Sequence, residues 1–332
     1  MANAVELSLN YTWDGITATD IIYKPSVQTP EIQSLFTILS GIKSKKQLYL
    51  PANLEKIVKA NEGCSRTSSG SATITNRTLT VSELQVFMEQ CYEEFMNTVF
   101  EEAERSGIDK ADITGTVIET IIMNLIKDAM VRDNFRILSF GDTGSGSADY
   151  NQLDGLWPTL IDGVSAYCVD RIGSALGSST LSTDTALTYL KAHYEGAPII
   201  LKQQPIANRK FYVTGSIYEN LMSSYESKSS GSDAQLNLLI DGVSGSLKYR
   251  GIEVIPIYAW DAALEADAPL GVSVKHLILY TIKDNHFVGL ERASDQGNVG
   301  AWYERKDKKV YFEAAYQLGY QYAHCDLQTI SY

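Results

Sequence analysis

Four histidines, four cysteines and a few clustered carboxylates are the side chains from which this 332-residue chain would have to build catalysis or metal binding. His193-Tyr194-Glu195 spells the H-x-E of zinc deaminases, in which the histidine ligates the metal and the glutamate moves a proton. The P-C-x-x-C that supplies the other ligands does not occur, and the spacing predicts an exposed histidine at a helix end instead. Gly242-Val-Ser-Gly-Ser246 fails the G-x-S-x-G nucleophile elbow at its last position. The run GDTGSGSAD from Gly141 to Asp149 resembles a phosphate cradle, but no Lys-Ser/Thr follows it and it trails a helix instead of opening one. A flexible turn is expected there. His276, His286 and His324 sit in no motif. Cys64, Cys91, Cys168 and Cys325 are far apart with no CxxC, which predicts free thiols in a reducing compartment, with neither a disulfide framework nor a tetrahedral zinc site. Glu93/Glu94 and Glu101/Glu102 are adjacent carboxylates on the face of a Glu-rich predicted helix, a solvated or partner-facing surface more than an acid–base pair. The expectation is therefore a chain that is not an enzyme, with no catalytic residue, no bound cofactor and no metal ligand.

Composition narrows the choice further. With 40 acidic against 28 basic side chains, a formal −12, non-specific adhesion to DNA is disfavoured. The 20 tyrosines lack the basic groove that base stacking requires, so packing and interface contacts explain them better. No apolar run approaches transmembrane length, and MANAVELSLNYTWDG carries neither the basic nor the apolar region of a signal peptide; no membrane partner is expected. A chain of this length buries about three-quarters of its unfolded surface and holds one to three domains.

The elements that would position these side chains form an unusual set. Residues 1–40 lack sustained periodicity and are broken by Pro25 and Pro30, which suits an extended arm. Within residues 41–80, two β-like runs, Gln47 to Leu50 and Ala72 to Leu79, flank a Ser/Thr/Gly-rich mobile tip, and so predict a long protruding hairpin. That hairpin is basic, with Lys43, Lys45, Lys46, Lys56 and Lys59 against Glu55. Ser82 with Gln85 fits a capping box, and Leu84, Phe87, Met88, Cys91, Tyr92, Phe95, Met96, Val99 and Phe100 keep helical spacing, which predicts a helix over 82–106. A second helix opens near Asp112 and keeps its apolar stripe from Ile113 to Met130. Between Glu83 and Asp149, 14 acidic side chains face 5 basic ones, a net of −9, whereas residues 1–77 have 8 basic and 6 acidic, a net of +2. Further on, Thr183 to His193 and Ile217 to Tyr225 read as helices, Lys210 to Val213 and Tyr249 to Tyr258 as strands, and the Ser-rich 223–233 as a loop. Mobility is expected at 141–149 and 223–233. Residues 310–322 alternate apolar and polar without a break, a long strand with one apolar face, whose hairpin partner is Ala301 to Arg305.

An arm, a basic hairpin, an acidic helical segment and a returning hairpin each project and need a neighbour to bury against. In that order, the chain resembles the major capsid proteins of tailed bacteriophages, with their Hong Kong 97-type α+β fold. Ile113 to Arg132 with Phe135-Arg-Ile-Leu-Ser-Phe-Gly141-Asp142-Thr-Gly144 resembles the family's spine helix and the "GD" turn after it. Leu153-Asp-Gly155-Leu-Trp157-Pro158 is similar to the next short stretch. Arg209-Lys-Phe-Tyr-Val-Thr-Gly-Ser-Ile-Tyr218 resembles the axial-domain strand that runs into a helix start, and Tyr249-Arg-Gly251-Ile-Glu-Val-Ile-Pro256 the strand that often reads y-x-G-x-P-V. Trp302-Tyr303 through Phe312 to Tyr322 resembles the closing peripheral hairpin.

The resemblance implies an N-terminal arm at 1–40, an extended loop at 41–80, a peripheral domain with the spine helix at 81–158, an axial domain at 159–292 and the peripheral return hairpin at 293–332. It further implies a subunit that self-assembles into hexamers and pentamers of an icosahedral shell around packaged double-stranded DNA, contacted non-specifically. Assembly would occur in the host cytoplasm and the product would be the virion capsid. Implied partners are further copies of the chain, a portal protein and in some cases decoration proteins. Because the sequence begins at Met1 directly with the arm, a separate scaffolding protein is expected. No acceptor Asn or catalytic Glu for an isopeptide cross-link is identifiable. The charge asymmetry suggests that Lys43, Lys45 and Lys46 dock on Glu89, Glu93, Glu94 and Glu101 of an adjacent subunit, each exposed pair worth under about 1 kcal/mol but repeated at every copy. The alternatives are an encapsulin-like compartment shell, a phage tail structural protein, or an enzyme with its site in 160–270.

Overall fold

The computed structural model describes residues 11–13, 30–50, 75–91, 117–177, 179–228, 247–291, 299–304, 306–307 and 309–332. A short strand, β1 (Tyr11–Trp13), is followed by helix α1 (Pro30–Leu35), whose proline suits a first helical position and whose Ile32 and Leu35 are buried. β2 (Thr37–Ile42) leads to β3 (Lys45–Leu50), which pairs antiparallel with β4 (Thr75–Thr80) from Lys45↔Thr80 to Leu50↔Thr75. This is the expected hairpin; its tip, 51–74, lies outside the described residues.

The next element overturns a helix. Residues 82–91 form strand β5 (Ser82–Cys91), and 92–106 lie outside the described residues. Its ten residues pair in unbroken register with a later strand, from Ser82↔Leu318 to Cys91↔Lys309. The exposure of Glu83, Gln85, Phe87 and Glu89 against buried Leu84 has a period of two. The apolar set Leu84, Phe87, Met88 fits helical spacing equally well, and pairing decided between them.

The expected spine is α2 (Val117–Phe140), 24 residues and so about 36 Å long, continuing well past Arg132. Its polar Asn134 and Ser139 can be fully buried because Tyr316 Oη donates to Asn134 and Trp260 Nε1 donates to Ser139 Oγ at 3.0 Å. The following turn is tied down more closely than its glycines suggest. Asp154 Oδ1 accepts from Thr143 N (2.9 Å) and Oγ1 (2.7 Å), and Asp142 Oδ1 accepts from Gly144 N at 2.7 Å. Gly155 N donates to Gly141 O at 2.7 Å, and a Cβ on Gly155 would lie 2.6 Å from Ile137 O, so only glycine permits this closure of the helix end.

Then come α3 (Leu156–Ser165), β6 (Asp170–Arg171), α4 (Thr185–Gly196), α5 (Ile199–Gln203), β7 (Arg209–Val213) and α6 (Gly215–Lys228). The expected Ser-rich loop is helical from Ser223 to Lys228, where the buried Ser224 Oγ donates to Asn220 O; 229–233 lie outside the described residues. The strand expected at 249–258 is split. β8 (Lys248–Tyr249) turns through Arg250 and Gly251, both at positive φ, into β9 (Ile252–Pro256), and Tyr258 already belongs to α7 (Tyr258–Ala266). β10 (Ile278–Ile282), β11 (His286–Glu291), β12 (Val299–Glu304), β13 (Lys309–Tyr322) and β14 (Gln328–Ser331) complete the chain. The long alternating strand and its hairpin partner are thus where the sequence put them.

Two six-stranded sheets result. In the first, β13 is central: β12 and β11 share one edge, β5 takes the other, β1 extends β12, and β2 runs parallel to β11. The second has the order β6-β14-β10-β7-β9-β8. A core between the first sheet and α2, α3 and α7 includes Phe140, Trp157, Trp260 and Phe312, with the two tryptophans edge to face at 5.2 Å. A second core packs α4, α5 and α6 on the second sheet around Phe211 stacked on Tyr280. The α+β class expected from the sequence holds.

One expectation about covalent chemistry fails. Cys168 and Cys325 are disulfide-bonded, with Cα atoms 5.3 Å apart and a sequence separation of 157. The fold brings together two cysteines whose spacing signals nothing.

Candidate assembly surfaces

The hairpin is anchored by a small apolar cluster of its own, Ile42, Leu48, Leu79 and Val81, against partly buried Leu39 and Phe287. Its root crosses β13 where a Cβ on Gly319 would lie 2.1 Å from Thr80 O, an approach that only glycine allows. Lys43, Lys45 and Lys46 stand exposed at this root, and none of them makes an ion pair with a described residue. On β3 and the turn before it, these lysines give the hairpin root a positive charge that no ion pair with a described residue neutralises.

The acidic half of the expected pairing is placed differently. Glu89 is on β5, not on a helix, and its carboxylate accepts from Lys309 Nζ of β13 in the same chain at 2.8 Å. That partner raises the Lys309 pKa above its ordinary value, and both side chains stay solvent-exposed, so the pair contributes little to stability. Glu93, Glu94 and Glu101 lie outside the described residues. Beside Glu89, Phe87 and Met88 are half exposed, which gives this sheet edge an apolar as well as an acidic character.

Two of the histidines are buried and bound at both ring nitrogens. His193, expected on an exposed helix end, is fully buried: α4 lies on the second sheet, and Nδ1 and Nε2 meet Thr329 Oγ1 (2.7 Å) and Ser331 Oγ (2.8 Å) of β14. Burial lowers its pKa to about 3, so the ring is neutral, and neither nitrogen is free for a metal. Glu195, two residues on, faces solvent. His286 is likewise buried between Tyr320 Oη (2.8 Å) and Thr281 Oγ1 (3.0 Å), with its pKa lowered to about 3 by desolvation. Among the described residues, no group of three His, Cys, Asp or Glu side chains is placed to hold a metal ion.

The contact most like an enzyme's is Ser216 Oγ, at the start of α6 within the segment 160–270, with Nδ1 of His276, which lies beyond that segment, 2.8 Å apart. His276 Nε2 meets the carbonyl of Ser179 at 3.0 Å, a tautomer in which Nδ1 accepts from the serine. The backbone N–H groups around Ser216 have partners of their own. Asp261 accepts from Gly215 N (2.5 Å) and Ser216 N (3.3 Å), and Thr214 O accepts from Ile217 N and Tyr218 N. The cluster therefore caps a helix start, and the backbone N–H groups of residues 215–218 are all engaged within it.

Comparison with known proteins places the fold. No family model and no curated protein matches the sequence. Solved structures do match across nearly the whole chain. A chain in the structure of the satellite phage P4 procapsid with its size determination (Sid) protein superposes with a TM-score of 0.60 at 10% identity, over 98% of this chain and 94% of that one. A chain of the capsid of an empty GTA particle gives 0.53 at 12% identity, over 100% and 94%. A chain from Microbacterium phage Oxtober96 gives 0.51 at 11% identity, over 100% and 94%. The fold is the one found in these phage and GTA particles.

Proposed function

We propose that the chain is a major capsid protein, the structural subunit of a phage-type shell. The observation that carries this is the likeness of fold, over nearly the whole chain, to chains of procapsid and capsid structures. A projecting basic hairpin, an arm strand added at a sheet edge and an acidic, apolar β5 edge are elements with more surface to cover than one chain supplies.

In this reading 1–40 is the arm, 41–80 the extended loop, 81–158 and 293–332 the peripheral domain, and 159–292 the axial domain, except that β11 joins the peripheral sheet and β14 the axial one. Hexamers and pentamers close into an icosahedral shell around double-stranded DNA, whose inner surface the chain's net negative charge keeps from sticking. Assembly takes place in the host cytoplasm with a separate scaffolding protein, a portal protein sits in the shell, and decoration proteins bind where a particle has them. Lys43, Lys45 and Lys46 dock on the neighbouring subunit's acidic segment, chiefly Glu93, Glu94 and Glu101, with Glu89 shared between that contact and Lys309 of its own chain.

Light scattering on the purified chain, alone and co-expressed with its scaffold, tests the proposal. Masses of hexamers, pentamers or closed shells support it. A monodisperse monomer under both conditions refutes it, and tubes would place the chain in a tail.

A further inference from the structure

The backbone passes between the two packed halves of the molecule at the segments that hold Cys168 and Cys325. Cys168 follows α3, whose Leu156, Trp157 and Leu160 belong to the first core, and precedes β6 of the second sheet. Cys325 lies between β13 of the first sheet and β14 of the second. Their bond therefore ties one crossing to the other.

A third element reaches the same point. Arg77, on β4 of the basic hairpin, places Nη2 3.0 Å from both sulfurs, and its guanidinium lies 4.0 Å above the Tyr322 ring. Tyr322 is the buried last residue of β13, and its hydroxyl is 3.8 Å from Cys168 Sγ. The aromatic face holds the cation in place, and a cation so placed stabilises a thiolate when the pair is reduced. Cys168 and Cys325 are each partly exposed.

We infer that Cys168, Cys325 and Arg77 form a redox-responsive clasp that locks both sheets and the hairpin root against one another. In the closing step one cysteine thiolate attacks a sulfur of glutathione disulfide, which forms a mixed disulfide and releases one glutathione thiolate. The second cysteine thiolate then attacks the protein sulfur of that mixed disulfide, forms the Cys168–Cys325 bond and releases the second glutathione thiolate. Two electrons pass from the protein sulfurs to glutathione disulfide, and the two thiol protons end on the glutathione formed. Two glutathione thiols reverse the sequence. A reducing cytosol holds the clasp open and an oxidising exterior closes it. The inference concerns the subunit's own fold and does not rest on the shell reading.

The test equilibrates the full-length chain across glutathione/glutathione disulfide ratios, followed by acid quenching, alkylation and non-reducing peptide mass mapping. The expected product is one linked peptide pair containing Cys168 and Cys325, with Cys64 and Cys91 alkylated, and slower amide exchange over 323–327 in the oxidised chain. Arg77→Leu slows closure about tenfold, while Arg77→Lys, which keeps the charge, stays within about threefold of wild type. Complete alkylation of Cys168 and Cys325 at every ratio, linkage to Cys64 or Cys91 instead, or an unchanged closure rate in Arg77→Leu overturns the inference. The wild-type mapping needs no variant and decides even if Arg77→Leu fails to fold.

Discussion

Mild acid should unfold the isolated subunit through two histidines that make no contact with each other. His193 and His286 each have both ring nitrogens engaged by hydroxyl groups in a fully buried site, and desolvation lowers both pKa values to about 3. In the unfolded chain each imidazole takes up a proton near its ordinary pKa of about 6.5. Below that pH only the unfolded state binds the proton. Stability is therefore fully present above pH 6.5 and is lost as the pH falls from 6.5 towards 3. Between pH 7 and pH 5 each histidine removes about 2 kcal/mol, and the pair about 4 kcal/mol, a large fraction of the stability of an ordinary domain. Urea unfolding of the unassembled subunit at half-unit pH intervals measures this directly. His193→Asn loses hydrogen bonds and so shifts the whole curve, but the slope is the informative quantity: it should lose about half its pH dependence in this window. Curves for His193→Asn and wild type that stay parallel from pH 7 to pH 5 would refute the buried neutral imidazole.

Other perturbations test other joints of the argument. Gly319→Ala puts a methyl group 2.1 Å from Thr80 O and should lower the melting temperature sharply and free the hairpin root to limited proteolysis. Trp260→Ala empties the centre of the first core and removes the Ser139 hydrogen bond, a loss of about 3–5 kcal/mol in chemical denaturation. Leu84→Glu should be destabilising and Gln85→Glu nearly neutral by thermal shift, because strand pairing buries one and exposes the other; equal effects would argue against β5. Reversing Lys43, Lys45 and Lys46 to Glu should leave the monomer's stability unchanged and suppress assembly, most strongly at low salt; assembly unaffected at both low and high salt removes the docking proposal.

Which features could be read from the sequence follows from how local their causes are. The strand ending at Tyr322 was legible because one face of it is buried along its whole length, from Phe312 to Tyr322, so alternation is unbroken. The long helix and the turn at Gly141 were legible from a continuous stripe and a local breaker. β5 was not: its apolar residues suit either period, and the strand that fixes it, with Lys309 against Glu89, lies 220 residues away. His193 was misread for a similar reason, since Thr329 and Ser331 come from the far end of the chain. The Cys168–Cys325 pair joins two crossings that only the completed fold makes adjacent. Among the surface residues, the exposure of Lys43, Lys45 and Lys46 agrees with a basic hairpin. Glu89, by contrast, turned out to have a partner in its own chain.

The most direct test of the central claim is a cryo-electron-microscopy reconstruction of the particles formed when the chain is expressed with the proposed scaffolding protein. The account predicts closed shells of hexamers and pentamers in which each basic hairpin lies across the next subunit, with Lys43, Lys45 and Lys46 against acidic side chains. Only monomers, or open tubes in which the hairpin touches no neighbour, would contradict it.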